Sequence, residues 1–290
     1  MHEIVCMGTS TEINALLNLI DDPDEEVFGA VSERIVDYGT TIIPTLEHWW
    51  ETIPNEQVQG RIEGLIHRLQ LRELKRSFTD WKEASRNELL PGALLVATFQ
   101  YPDLASASVI TDTERLRRNI WLELNNYLTP LEQVNVFHNI LYGYFGLRTT
   151  PREECKTEDF LINQVISNKK GTQAGNGLLY LVLCELLDLP VRAIQLPDQF
   201  ILAYIKPLQD DGMERAEFFM DPSGGQIYTH RDIETYFKRI NEPMDQKYLS
   251  PLTNIETIAW ALQLLAKSYD PLKESYKIAE LKELARYLRS

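Results

Sequence analysis

Basic residues are scarce in this sequence. Its 290 residues carry 29 Lys and Arg against 43 Asp and Glu, a formal net charge of −14 at pH 7. That balance argues against a nucleic-acid role, because phosphate binding requires a basic surface, and it disfavours anionic membranes for the same reason. Cysteine is scarce too. Cys6, Cys155 and Cys184 form an odd set in unlike settings: near the terminus, in a polar loop, and inside an apolar run. Such a set is no disulfide framework and fits a reducing compartment. No apolar run approaches the length of a bilayer. The opening Met-His-Glu-Ile-Val-Cys-Met lacks the basic region and long apolar stretch of a signal peptide. His2, His48, His67 and His230 show no metal-ligand spacing with Asp, Glu or Cys. The expectation is a cytoplasmic protein with no metal, no cofactor, no nucleic-acid partner and no membrane partner.

What is present centres on residues 171–225. A glycine-rich start (Gly171, Gly175, Gly177) leads into Leu178, Leu179, Leu181, Val182, Leu183, Leu186 and Leu187. Apolar residues cover most of that helix's circumference, so it is buried on nearly every side. Pro190 ends it, since proline cannot continue the ladder. The β-rich runs Val191–Leu196, Phe200–Ile205 and Glu217–Met220 follow as strands, with Asp211-Gly212 a turn between the last two.

Upstream the pattern is helical. Ile13, Leu16, Leu17 and Ile20 give one apolar face; Val27, Val31 and Ile35 give a second, stopping near Gly39; Ile42, Ile43 and Leu46, then Val58, Ile62, Leu65, Ile66 and Leu69, give two more. Thr79 is read as the cap of a further helix, interrupted at Pro91 before Ala93–Phe99. A turn at Tyr101-Pro102-Asp103 precedes a helix over Thr113–Leu124. Thr129-Pro130-Leu131-Glu132 is a compact start signal, with a capping Thr, Pro at the first helical position and Glu three residues after the cap. The helix it opens is expected to turn Val134, Phe137, Leu141 and Tyr144 toward the core and to end at Gly146. Thr157 caps the next. Downstream, Arg231–Ile240 is a helix, and Asn254–Ser268 and Leu272–Leu288 form an antiparallel pair joined at Tyr269-Asp270-Pro271.

The central stretch resembles the core of the transglutaminase-like superfamily, which is papain-like in fold. In that family a Gly-x-Cys opens the central helix, and a Leu-Gly-Ile-Pro-type turn follows about four helical turns later. A His then lies on one strand and an Asp, often in Asp-Pro, on the next. Gly171 and Leu189-Pro190 hold the frame here, so Gln173 occupies the cysteine position. Gln199, in Leu-Pro-Asp-Gln-Phe, occupies the histidine position, and Asp221 keeps the aspartate in Asp-Pro-Ser-Gly-Gly. Leu90–Leu104, Asn139–Leu147 and Phe160–Gly171 narrow the resemblance to the bacterial SirB-type transglutaminase-like group, over residues 88–288. The phrase running from Leu19 to Leu46 resembles HEAT-type repeats, with a generic helical subdomain as the open alternative. The C-terminal pair resembles a single tetratricopeptide-like unit. The resemblance therefore implies an α+β fold in three parts: a helical HEAT-like region (1–87), a transglutaminase-like core with a small antiparallel sheet (88–240), and a C-terminal helical hairpin (241–290).

Cysteine-dependent acyl transfer needs a thiolate, a histidine in reach, and a group orienting that histidine. Glutamine can be neither thiolate nor proton shuttle, so Gln173 and Gln199 remove both reacting groups. The bland reading of Asp221 is a carboxylate serving its own turn. Cys184, deep in the apolar helix, reads as an inert hydrophobe, and Cys155 lies among carboxylates that raise a thiol pKa. His138 reads as a partly buried structural histidine. The glycines could admit a phosphate to the helix start or serve close packing. What remains is a polar pocket lined by Gln173, Asn176, Gln199 and Asp221 that hydrogen-bonds an amide or peptide without cleaving it. The sequence thus points to a non-catalytic protein- or peptide-binding scaffold. The alternative is an amide-directed hydrolase or acyltransferase with a non-standard nucleophile.

Overall fold

A computed structural model describes residues 12–197, 199–207 and 214–290. The expected turn at Asp211-Gly212 lies outside them, as do His2 and Cys6. The chain divides into two compact units, Met1–Thr79 and Asp80–Ser290.

In the first unit, helical residues 12–18 (α1) are followed by α2 (Glu25–Asp37), α3 (Ile43–Thr52) and the start of α4 (Glu56–Glu83). The apolar faces read from the sequence meet in one core: Leu17, Ile20, Val31, Ile35, Ile42, Leu46, Val58, Ile62, Leu65 and Leu69 are all buried together. Arg61 closes the α1–α2 loop. Its Nη1 donates to the carbonyls of Ile20 and Asp22, each at 2.7 Å, and its guanidinium lies 4.3 Å from the Phe28 ring centroid.

α4 corrects one expectation. Thr79 caps no helix; it sits inside α4, where its hydroxyl donates back to the Lys75 carbonyl at 2.9 Å. The helix continues because its apolar stripe does, through buried Leu74, Phe78 and Trp81. It ends at Glu83, where Asn87 Nδ2 donates to the carbonyls of Trp81 (2.7 Å) and Lys82 (2.9 Å) in the last turn.

The second unit is α+β. α5 (Leu89–Thr98) carries Pro91 in its first turn, where no intrahelical bond is lost. α6 (Ser106–Glu123) and α7 (Pro130–His138) follow, and the Thr129/Glu132 capping box forms as expected. α7 runs into a π-helical turn, Asn139–Tyr144, in which the Phe145 amide reaches back five residues to the Ile140 carbonyl at 2.7 Å. Short β1 (Arg148–Thr149) and β2 (Lys170–Gly171) pair in parallel around α8 (Ile162–Asn168). Then come α9 (Gln173–Leu186) and a four-stranded antiparallel sheet in sequential order: β3 (Val191–Leu196), β4 (Gln199–Pro207), β5 (Glu214–Asp221) and β6 (Gln226–Tyr228).

The sheet's two faces follow strand alternation. Ile201, Ala203 and Ile205 join Ile194, Leu196 and Phe219 in a cluster with Ile233 and Phe237 of α10 (His230–Ile240). Phe200, from the opposite face, stacks on Trp260 of α11 (Asn254–Ala266), with ring centroids 4.5 Å apart and an interplanar angle of 11°. Every residue of α9 from Gly175 to Cys184 is buried, as the all-round apolar pattern required. Its outer end is tied down by Glu185, whose carboxylate accepts from the Leu89 amide (2.6 Å) and from Asn254 Nδ2 (2.5 Å), joining the starts of α5 and α11. α12 (Ser275–Arg289) packs on α11. It begins later than the sequence pattern suggested: Leu272 lies before it in a solvent-exposed turn.

Tyr144 is a second correction. An α-helical period places it on the buried face with Phe137 and Leu141, which are indeed fully buried. The wider π turn adds a residue to that period, and Tyr144 emerges 80% exposed.

Candidate functional site

α9 begins at Gln173 because Thr172 caps it. The Thr172 Oγ1 accepts the Gly175 amide at 3.0 Å, satisfying one of the free donors of the first turn. This leaves Gln173 at the mouth of the helix, where its side chain bridges two strands. Nε2 donates to Asp221 Oδ1 at 3.0 Å, and Oε1 accepts from the Phe200 amide at 3.3 Å. Asp221 is the last residue of β5. Its Oδ1 also accepts the Ser223 amide at 2.8 Å and its carbonyl accepts the Gly225 amide at 2.8 Å, the side-chain-held turn expected of Asp-Pro-Ser-Gly-Gly.

The structure thus joins Gln173 to Asp221 directly. Asn176 faces elsewhere. It is fully buried, and its Nδ2 donates to the Arg148 carbonyl (3.1 Å) and Thr149 Oγ1 (3.0 Å) of β1. Thr149 Oγ1 in turn donates to the Ser223 carbonyl at 2.7 Å, so Asn176 supports the Asp221 turn from behind. Gln199 opens β4 opposite Leu196; its half-buried side chain makes no hydrogen bond to a described residue.

The glycines at the start of α9 are backed by protein. A Cβ on Gly177 would lie 2.5 Å from the Phe200 ring and 3.2 Å from Pro222, and one on Gly175 would lie 2.5 Å from the Asp159 carbonyl. Close packing of strand and loop against the helix therefore accounts for both, and that space is not open to a phosphate.

Three side chains under the turn were not singled out together from the sequence. His138 Nε2 lies 3.0 Å from the Tyr180 hydroxyl, which also reaches Met220 Sδ at 3.5 Å; Tyr142 donates to the Pro222 carbonyl at 3.0 Å. Gly225 closes over them: its φ is +77°, and a Cβ there would lie 2.7 Å from His138 Nδ1. Burial pulls the His138 imidazole down to about 4, so it is neutral at pH 7. Burial, then the nearby Asp221 carboxylate, pushes the Tyr142 phenol far up. A signal existed. Tyr180 is the one hydroxyl in an otherwise apolar helix run, and a buried phenol must find a partner. His138 and Tyr142 stand four apart on one helical face.

Neither described thiol is activated. Cys184 is fully buried on α9, and desolvation raises it well above its ordinary value. Cys155 is raised by burial first and then by Asp159 and Glu153, and it donates to the Pro151 carbonyl at 3.3 Å. Among the described residues, no three His, Cys, Asp or Glu side chains come together as metal ligands. No described helix is long and apolar enough to cross a membrane. Chemically, Gln173 presents an amide hydrogen-bonded at both ends, and a neutral buried imidazole lies against Gly225 of the turn that follows Asp221.

Residues 107–263 match the model of the transglutaminase-like superfamily. The chain is similar to UPF0162 protein YchA of Escherichia coli, 24% identical over 210 residues that cover 72% of this chain and 74% of YchA. It is equally similar to Protein SirB1 of Salmonella typhimurium, 24% identical over 211 residues with the same coverage. A UPF0162 protein of Buchnera aphidicola is 26% identical over 193 residues, 66% of this chain and 68% of the relative. No solved structure matches. This chain belongs to the transglutaminase-like superfamily, in its SirB-type group.

Proposed function

We propose that this chain is a non-catalytic transglutaminase-like protein that binds or scaffolds a protein or peptide partner in the bacterial cytoplasm. The observation that carries the reading is the Gln173 bridge. Its amide ties the start of α9 to the Asp221 carboxylate and to the Phe200 amide, and the family resemblance assigns Gln173 to the cysteine position. A residue hydrogen-bonded at both ends and unable to ionise stabilises a framework; it does not open an acyl-transfer path. Free Cys155 and Cys184 suit a reducing compartment. On this reading the helices of residues 12–79 are a HEAT-like flank and the α11–α12 pair a tetratricopeptide-like one, with the core as their scaffold.

The test is turnover. Purified chain would be incubated with a glutaminyl peptide and hydroxylamine, and separately with a fluorogenic peptide amide. Neither hydroxamate nor released fluorophore is expected above buffer. Product that scales with protein concentration and vanishes in Asp221→Ala would establish the alternative, an amide-directed hydrolase or acyltransferase with a non-standard nucleophile.

A further inference from the structure

Away from the Asp221 turn, the second unit carries an open groove of about 440 Å³ between the end of α6 and the α7–π segment. Leu122, Val136, Ile140 and Tyr144 are its apolar lining, with Asn119 and Asn139 beside them. Leu122 is 66% exposed and Tyr144 80%. Large apolar groups left in water at one place mark an interaction surface more often than chance exposure does. The backbone gives a second indication. Tyr144 and Ile140 are presented by the π turn, an irregularity that is rarely kept where nothing depends on it.

The charge at this groove has one sign. Glu123 lines it as the last residue of α6, where the helix's own carbonyls add partial negative charge. The last turn of α6 holds no basic residue to offset this, and Glu123 forms no ion pair among the described residues. An exposed carboxylate at a helix C-terminus, in a groove otherwise lined by an aromatic ring and aliphatic side chains, complements a Lys or Arg carried on an apolar segment. A cation held by Glu123 would share the groove with the Tyr144 ring, and its aliphatic neighbours would have Leu122 and Ile140 to cover.

We infer that this groove docks a short segment of another protein that presents aliphatic side chains together with a Lys or Arg. The inference rests on the reading of the chain as a binding module, and it names the surface and the partner chemistry. The volume fits a few side chains, and the net charge of −14 draws basic partners from a distance.

The experiment is selection of a phage-displayed random peptide library on the full chain, followed by fluorescence anisotropy with a selected synthetic peptide. The expected winners combine Leu, Ile or Met with Lys or Arg. Their affinity falls about tenfold or more in Leu122→Asp and in Tyr144→Ala, and Glu123→Lys abolishes it. All three exposed positions can be changed without touching the core, and circular dichroism checks the fold. No enrichment, acidic winners, or binding indifferent to Leu122→Asp and Glu123→Lys would overturn the inference. So would a dimer in light scattering that Leu122→Asp dissolves, since the groove would then belong to a second copy. Peptide binding and turnover are read separately. A chain with turnover that still binds these peptides at Leu122 fails the non-catalytic reading and keeps this one; a chain inactive in both assays does the reverse.

Discussion

His138 makes the second unit's stability depend on pH in a calculable way. Its imidazole is buried among Tyr142, Tyr180 and Gly225, with ring centroids 5.4 Å from Tyr142 and 5.7 Å from Tyr180. No carboxylate is within hydrogen-bonding distance of it among the described contacts. Burial lowers its pKa from the ordinary 6.5 to about 4. The unfolded chain therefore binds the proton more readily than the folded one. The stabilisation is fully present above pH 6.5 and is lost as pH falls toward 4. The whole difference corresponds to about 3 kcal/mol, of which about 2 kcal/mol disappears between pH 8 and pH 5. Carboxylates titrating over the same range act alike in the wild type and in His138→Gln, so the variant isolates the imidazole. Urea unfolding of both proteins at pH 8 and pH 5 is the assay, read on the transition of residues 80–290. The variant should lose about 2 kcal/mol less than the wild type over that interval. Equal losses in the two proteins would refute the assignment of His138 as a buried neutral base.

Other substitutions follow from single contacts. Gln173→Leu leaves the Phe200 amide and one Asp221 bond unmade and should lower stability by about 1–2 kcal/mol in thermal melts, with no change in any turnover assay. Glu185→Ala removes the carboxylate shared by Leu89 and Asn254; a loss of about 2–3 kcal/mol is expected, with faster hydrogen exchange at the starts of α5 and α11. Gly225→Ala must hold a left-handed φ and push His138 aside, costing about 2 kcal/mol by denaturant titration; a neutral result would mean the turn relaxes freely. Gly177→Ala meets the Phe200 ring, for a cost of about 1–3 kcal/mol and a change in the near-ultraviolet dichroism of the Phe200–Trp260 stack.

What could be read in advance follows from which signals are local. The burial of α9 and the span of β3 depended on composition within a few residues, and both were legible. So was the capping box at Thr129, whose partners are three residues apart. Thr79 misled because a threonine before a new apolar run looks like a cap, and only the continuing stripe of Leu74, Phe78 and Trp81 shows that the helix never stopped. Tyr144 misled for a subtler reason. Periodicity assumes one residue spacing throughout, and the π turn changes it without a proline or glycine break at its start. At the site, family spacing singled out Gln173 and Asp221, which the structure joins by a hydrogen bond. Their mutual bond, the direction of Asn176 toward β1, and the His138–Tyr180 pair join segments far apart in sequence. Periodicity carries no information about such pairs.

The π turn has a consequence for how this segment tolerates change in length. Measured against a straight α-helix, Asn139–Tyr144 contains one surplus residue, and that surplus shifts the end of the segment, Tyr144 included, by about a hundred degrees. His138 and Tyr142 face the side of Tyr180 and Pro222, whereas Val136, Ile140 and Tyr144 line the open groove. The two faces are therefore addressed by count as well as by identity. Conservative replacement of Asn139 or Gly143 leaves both faces in place. Removing either one residue would re-phase the rod, carrying Tyr144 off the groove while leaving His138 where it is.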